Sequence, residues 1–236
     1  MKKKLVIMGL VLAMALSLAG CGDKENPEPK QEAKIAVEIK SEKLQKYVDV
    51  LDFVAATYIA ELQNTGGKTI KISDISVDVE DAKGNLIKSA DYLSVLPRVI
   101  KPGESAYICE EVIGSSDKDI TIEDIDKAIL HYVIEESQET DVPEVELSEI
   151  QLKENSYGIT YFMGRAKNVG KTDLTDLYIG ADIRNPNGEL QNYVFATIES
   201  LPAGETKGFE QAIIYGDPKT DYTKSTANAL AFLREF

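Results

Sequence analysis

The body of the chain contains two copies of one sequence pattern, and this internal repeat restricts the fold more than any other feature. The repeat has a period of about 100 residues, which is too long for a solenoid and indicates duplication of a whole domain. The matched segments are 64–67 with 168–171, 75–84 with 179–188, 96–97 with 201–202, and 102–105 with 203–206.

Each copy carries the signals of short β-strands joined by tight turns. Ile75, Val77 and Val79 alternate with polar residues, as expected for a strand with one buried face, and residues 177–183 do the same in the second copy. Lys83-Gly84-Asn85 and Pro186-Asn187-Gly188 are typical of hairpin turns, because Gly and Asn tolerate positive φ. The sequence therefore predicts an all-β fold.

Strands at this spacing over about 100 residues favour an immunoglobulin-like sandwich, so we expect two tandem immunoglobulin-like β-sandwiches. We place the first domain at residues 35–140 and the second at 141–236. The closing strand of each copy is expected at residues 128–134 and 229–234. Residues 42–53 fit either a helix or a continuation of the first strand.

The second copy resembles the FxLYD domain family, small immunoglobulin-like modules of bacterial surface lipoproteins. The matching features are Tyr161-Phe-Met-Gly164 leading to Asn168-Val-Gly170, the hairpin at Asn185-Pro-Asn-Gly188, and Leu201-Pro-Ala-Gly204-Glu205 before Phe209. The first copy has Ile108 where the Phe would stand, and the string that names the family occurs in neither copy. The resemblance implies adhesion or protein interaction at the cell surface, and it supplies no catalytic residues.

The N-terminus has the layout of a secretory signal peptide, with lysines at positions 2–4, an almost wholly apolar run over 5–18, and small residues before Cys21. The string Leu18-Ala19-Gly20-Cys21 resembles a bacterial lipobox, which implies cleavage before Cys21 and diacylation of its sulfur. A transmembrane helix, for which the run is short, and cleavage at another small residue are the alternatives. We therefore predict a lipoprotein signal peptide over residues 1–20.

The residues after the predicted cleavage site are expected to form a flexible tether, 21–34, since they lack large apolar side chains. Lipidation of Cys21 leaves Cys109 without a disulfide partner in the chain. This favours the extracytoplasmic face of a Gram-positive membrane as the location.

Charge excludes several classes of partner. The chain has 40 acidic and 26 basic residues, a formal charge of −14, so nucleic acid and anionic lipid headgroups are repelled. Two acyl chains suffice for stable anchoring in the membrane. The remaining partners that we expect are an envelope protein or a wall component, and a homo-oligomer through strand pairing.

Cys109 aligns with Glu210 of the second copy. A side chain that faces solvent there would make Cys109 a free thiol able to act as a nucleophile or to form an intermolecular disulfide. The simpler interpretation is a half-exposed strand position without chemistry.

His131 is the only histidine of the chain and aligns with Phe232. A position that accepts Phe in one copy predicts a packing role, beside Ile129 and Val133, rather than catalysis.

The acidic and amide residues near the two hairpins are candidate calcium ligands. They are Asp74, Asp78, Glu80 and Asp81 in the first copy, and Asp182, Asn185 and Asn187 in the second. Their spacing is not that of an EF-hand, and solvated strand faces and Asx turns explain them better. We predict no metal, cofactor or catalytic site, and Cys21 is the one site residue that the sequence assigns.

The sequence therefore favours a non-enzymatic binding or spacer module anchored in the membrane. The alternatives are a small-molecule capture protein of an importer, a class that is usually α/β, and a surface hydrolase with a carboxylate pair.

Lipid attachment at Cys21 is directly testable. Cys21→Ser is expected to abolish metabolic labelling of the chain with an alkyne fatty acid, because the acylated sulfur is lost, whereas Cys109→Ser keeps the label. Labelling that survives Cys21→Ser would contradict the prediction.

Overall fold

A computed structural model describes residues 34–49, 51–114, 117, 119–138 and 142–233. The predicted signal peptide, Cys21 and all of the predicted tether except Lys34 lie outside these residues. No helix of the described part of the chain is long and apolar enough to cross a membrane.

The described residues form β-strands and one 3₁₀ turn, and the strand pairs are antiparallel. The strands of the first half are β1 (Val37–Val48), β2 (Val54–Asn64), β3 (Ile70–Glu80), β4 (Leu86–Asp91), β5 (Val99–Ile100), β6 (Ser105–Ile113) and β7 (Lys127–Glu136). The second half has β8 (Val145–Glu154), β9 (Thr160–Asn168), β10 (Leu174–Arg184), β11 (Leu190–Leu201), β12 (Thr206–Ala212), the 3₁₀ turn Tyr222–Lys224 and β13 (Thr226–Leu233). The all-β prediction is confirmed.

Both halves combine their strands in the same order. In the first half β1, β2 and β6 form one sheet, and β3 pairs with β4, β5 and β7 in the other. In the second half β8, β9 and β12 form one sheet, and β10 lies between β11 and β13 in the other. Each pair of sheets shares one apolar core, with Tyr58 and Ile72 in the first and Phe162 and Ile179 in the second. The predicted boundary between domains, at Asp141, falls outside the described residues and stays a prediction.

Of the segment 42–53, which fitted either helix or strand, residues 42–48 are strand, and 51–53 belong to the turn before β2. β1 runs without interruption to Val48 and pairs with β2, with Leu44 opposite Tyr58 and Tyr47 opposite Ala55. Leu44 packs against the first core, and the alternation of the strand turns Tyr47 to the other face. Leu44 and Tyr47 thus point to opposite faces of a sheet, whereas in a helix they would lie on the same face.

The repeat has a physical basis in one buried asparagine of each half. Asn64 Nδ2 donates to the carbonyls of Lys68 (2.8 Å) and Ile100 (3.0 Å), and its Oδ1 accepts from the Gly66 amide (3.0 Å). Both this asparagine and its counterpart are fully buried.

Asn168 repeats this arrangement, with Nδ2 donating to the carbonyls of Thr172 (2.8 Å) and Leu201 (2.9 Å) and Oδ1 accepting from the Gly170 amide (2.9 Å). Its backbone N–H donates to Glu205 O, as that of Asn64 does to Glu104 O. The asparagine thus ties the end of a strand to the carbonyl of a distant chain segment in both halves.

Asn64→Ala and Asn168→Ala are each expected to lower the free energy of unfolding by about 3 kcal/mol, since each removes three hydrogen bonds and leaves buried carbonyls unpaired. Asn187→Ala is the matched control, because that exposed side chain makes no hydrogen bond within the described residues, and its effect should stay below about 0.5 kcal/mol. Urea denaturation measures all three. Equal losses for the three variants would contradict this role.

Candidate functional site

The second half covers the outer face of the sheet formed by β1, β2 and β6. Along β2, Tyr58 and Ala60 belong to the first core, and Thr57 and Ile59 point to the opposite face. Thr57 and Ile59 are nonetheless at most 1% exposed. A sheet with both faces buried needs a second layer on its outer side, and here β11 and the segment before the 3₁₀ turn supply it.

An apolar cluster lies at the centre of this interface. Ile59 and Cys109 of the first half pack with Leu190 and Tyr193 of the second. Tyr107 of β6 stacks on the ring of Tyr193, with ring centroids 4.9 Å apart and planes 9° from parallel. Such a pair contributes about 1 kcal/mol beyond the area that it buries.

Asn192 connects the two halves through hydrogen bonds. Its Oδ1 accepts from Cys109 Sγ (3.1 Å), and its Nδ2 donates to Tyr215 O (2.7 Å) and to the Tyr222 hydroxyl (3.0 Å). Close by, the Gly216 amide donates to Thr57 Oγ1 (3.2 Å). Each of these polar groups therefore has a hydrogen-bond partner, either in the other half or in the segment 215–222 of the second half.

Arg184 forms an ionic contact across the same interface. Its guanidinium donates to Glu61 Oε2 of the first half (2.7 Å) and to Asp182 Oδ2 of its own strand (2.5 Å). Burial alone would lower the pKa of Arg184, but the hydrogen bonds to Glu61 and Asp182 outweigh burial and raise it. Glu61 also accepts from Ser105 Oγ (3.0 Å), so its carboxylate is satisfied from both sides.

The thiol of Cys109 is buried, which corrects both interpretations of that position as exposed or half-exposed. Its aligned residue, Glu210, does face solvent, but the second half covers Cys109 and has no counterpart over Glu210. Burial raises the pKa of the Cys109 thiol to about 12. The group is therefore protonated and shielded, which is unsuited to a nucleophile.

The outer face of the β11–β10–β13 sheet is aromatic and partly open to solvent. The ring of Tyr178 meets Phe195 edge-on at 5.3 Å between centroids and Phe232 at 5.7 Å. Phe195 is 38% exposed and Leu230 is 49% exposed. We call Tyr178, Phe195, Leu230 and Phe232 the aromatic face.

Gly180 makes room in the middle of this sheet. A Cβ atom built on Gly180 would lie 1.9 Å from the Tyr193 hydroxyl and 3.0 Å from Phe232. The absence of a side chain therefore lets the Tyr193 ring reach over Gly180 toward Phe232 while it stacks on Tyr107.

Two cavities flank the apolar cluster. The first, of about 380 Å³, borders the aromatic face, and we call it the aromatic cavity; its walls include Tyr107, Cys109, Tyr193, Phe195, Ile214 and Tyr215. The second, of about 640 Å³, lies beside Ile59 and Leu190, and we call it the lysine cavity because Lys43 lines it together with Ser41, Glu61 and Arg184.

His131 faces solvent, so the predicted packing role is wrong. Its Nε2 lies 3.1 Å from Asp78 Oδ2, while Ser89 Oγ donates to Asp78 Oδ1 (2.7 Å). The hydrogen bond from Ser89, followed by the charge and hydrogen bond of His131, lowers the pKa of Asp78. Phe232 is buried among aromatic rings that have no equivalent around His131.

Two of the candidate calcium ligands, Asp81 and Asn185, are engaged in local turns. Asp81 Oδ1 accepts from the amides of Lys83 and Asn85 (both 2.8 Å), and Asn185 Oδ1 accepts from the Asn187 (2.9 Å) and Glu189 (3.0 Å) amides. These are Asx turns at the two predicted hairpins. Among the described residues, no group of three His, Cys, Asp or Glu could hold a metal ion.

The interface residues were not singled out by the sequence as a site, although one signal was present. Residues 54–60 of β2 form an almost unbroken run of apolar and small side chains instead of alternating with polar ones. Such a run indicates a strand that is buried on both faces. The partner surface, 120 residues and more further along the chain, carries no local signal.

In comparisons with known proteins, no family model and no curated protein matched the chain.

Arg184→Gln is expected to lower the free energy of unfolding by about 2 kcal/mol, because it leaves Glu61 and Asp182 partly buried without their cation. Glu61→Gln added to Arg184→Gln should cost less than the sum of the single variants. Arg165→Gln, at an exposed strand position, is the control and should change stability by less than about 0.5 kcal/mol. Additive losses in denaturation experiments would show that no coupling exists across the interface.

Proposed function

We propose that this protein is a membrane-anchored, extracytoplasmic lipoprotein that works as a non-enzymatic binding or spacer module at the cell envelope. The acyl chains on Cys21 hold it to the membrane, and residues 22–34 give the folded part its reach. The two immunoglobulin-like halves then present a binding surface to an envelope protein or a wall component. The lipobox and the resemblance to FxLYD domains support the location.

The observation that carries the proposal is the aromatic face. Large apolar side chains that lie together and open to solvent are uncommon on soluble proteins and are typical of interaction sites. Aromatic residues are also enriched where protein partners bind. Phe195 lies on the aromatic face and also lines the aromatic cavity, so a partner could cover the face and insert a side chain into the cavity.

The interface between the halves suits presentation rather than movement. Tyr193 belongs to the apolar cluster at the interface, and it lies over Gly180 on the same sheet face as Phe195, beside the aromatic face. The first half therefore packs against one edge of the aromatic face through the contact of Tyr107 with Tyr193. A surface that is preorganised in this way loses less entropy when it binds.

The arrangement of polar groups argues against a hydrolase. In a Ser-His-Asp triad the histidine lies between serine and aspartate, whereas here Asp78 lies between Ser89 and His131. Burial and the charge of Asp49 raise the pKa of Glu111, as a general acid requires, but Glu111 lines neither the aromatic nor the lysine cavity. The all-β architecture likewise does not favour a capture protein of the α/β class.

Site-specific photo-crosslinking tests the proposed surface. A photoreactive phenylalanine analogue placed at Phe195 or Leu230 of the lipidated chain, in its own cells, should crosslink to one dominant partner that mass spectrometry identifies. The same analogue at Tyr92, which is 98% exposed on the first half, should give no such product.

Phe195→Ser with Leu230→Ser should abolish capture of that partner by the chain while leaving the melting temperature within a few degrees. Equal crosslinking from Tyr92, or capture that survives the double variant, would overturn the assignment of the surface. A crosslinked product of two copies of this chain would identify the face as a dimer contact instead.

A further inference from the structure

Lys43 is a partly buried cation in the lysine cavity. Within the described part of the chain its ammonium group has neither an ion pair nor a hydrogen bond, whereas Lys40 on the same wall pairs with Glu38 at 3.6 Å. Burial lowers the pKa of Lys43, and the nearby charge of Glu189 acts against that shift. A charged group that is partly withdrawn from water without a partner costs free energy, part of which an anion in the cavity would recover.

Ser41 supplies a second unmatched group on the same wall. It lies two residues from Lys43 on β1, so both side chains point to the outer face of the sheet. The Ser41 hydroxyl oxygen is buried and has no hydrogen-bond partner among the described residues. Buried hydroxyl groups are almost always paired, so this one indicates a missing partner.

The surrounding charges limit the anion to a single negative charge. The other two cations of the cavity are already paired, Arg184 with Glu61 and Asp182 and Lys40 with Glu38. Glu42, Glu61 and Glu189 also line the walls. A phosphate dianion would place two charges beside one free ammonium and these carboxylates, whereas a carboxylate places one.

Part of the cavity wall is apolar. Ile59 and Leu190 line it and belong to the cluster that joins the two halves. We infer that the lysine cavity binds a carboxylate group with a short apolar body, the carboxylate meeting Lys43, and Ser41 once its hydroxyl turns toward the cavity, and the apolar part resting on Ile59 and Leu190. This site goes beyond the proposed binding surface, and neither depends on the other.

The shared chemistry has two sources, a small free acid and the carboxyl end of a peptide. Nuclear magnetic resonance of the full chain in detergent distinguishes them, with sodium butyrate as one probe and acetyl-Ala-Ala as the other. Either is expected to shift the amide signals of Lys43, Ile59 and Leu190 saturably, with a dissociation constant of about 1 mM for a ligand of this size. The probe with the lower dissociation constant indicates whether the natural ligand is a small free acid or the carboxyl end of a peptide.

Neutral probes and matched variants measure how much the charge of the ligand and of Lys43 contributes to binding. Butyramide and acetyl-Ala-Ala-amide should bind at least tenfold more weakly than the acids. Lys43→Met should weaken acid binding by tenfold or more, Lys43→Arg should stay within about threefold, and Lys40→Met should leave binding unchanged. The melting temperature of Lys43→Met should not fall, because the variant removes an unpaired charge.

Absence of saturable shifts with both acids would overturn the inference. It would also be overturned by equal binding of the neutral probes, or by unchanged binding to a folded Lys43→Met chain. If inorganic phosphate, added at the same ionic strength, bound more tightly than butyrate, the assignment to a carboxylate would be wrong.

Discussion

The side-chain amide of Asn192 is the contact on which the joining of the two halves depends. It accepts from Cys109 of the first half and donates to Tyr215 and Tyr222 of the second, so one buried group fixes both the sheet and the loop that covers it. An unpaired buried amide is costly, so any other arrangement of the halves that broke these hydrogen bonds would be less stable. Two sandwiches joined only by a linker would be free to reorient, and these are held by complementary polar groups.

The same interface generates the surfaces to which we assign function. Tyr193 belongs to the interface cluster and also lies beside the aromatic face, with Gly180 giving it space. The apolar cluster is small, and a cavity lies on either side of it. Binding at these cavities would therefore be coupled to the packing of the halves, since their walls come from both.

Much of the fold could be predicted from the sequence, because its signals are local. The Asn64 and Asn168 turns and the period-two strands at 75–79 and 177–183 are determined by residues within a few positions. β1 was ambiguous because its bulge after Ile39 and its use of both faces blur the alternation. The site was not predicted, since burial of Cys109 depends on the distant half that covers it, and the exposure of His131 depends on which side chains of neighbouring strands lie beside it.

The alkylation rate of Cys109 in the native chain tests most directly whether the halves stay joined. The Cys109 peptide, quantified by mass spectrometry after iodoacetamide treatment at pH 8, should react at least about a thousandfold more slowly than in urea, given a thiol pKa of about 12. The native rate should also scale with the equilibrium constant of global unfolding, because the reactive thiolate forms readily only when the second half no longer covers Cys109. A native rate well above that set by global unfolding would show that the halves separate, and would contradict the account.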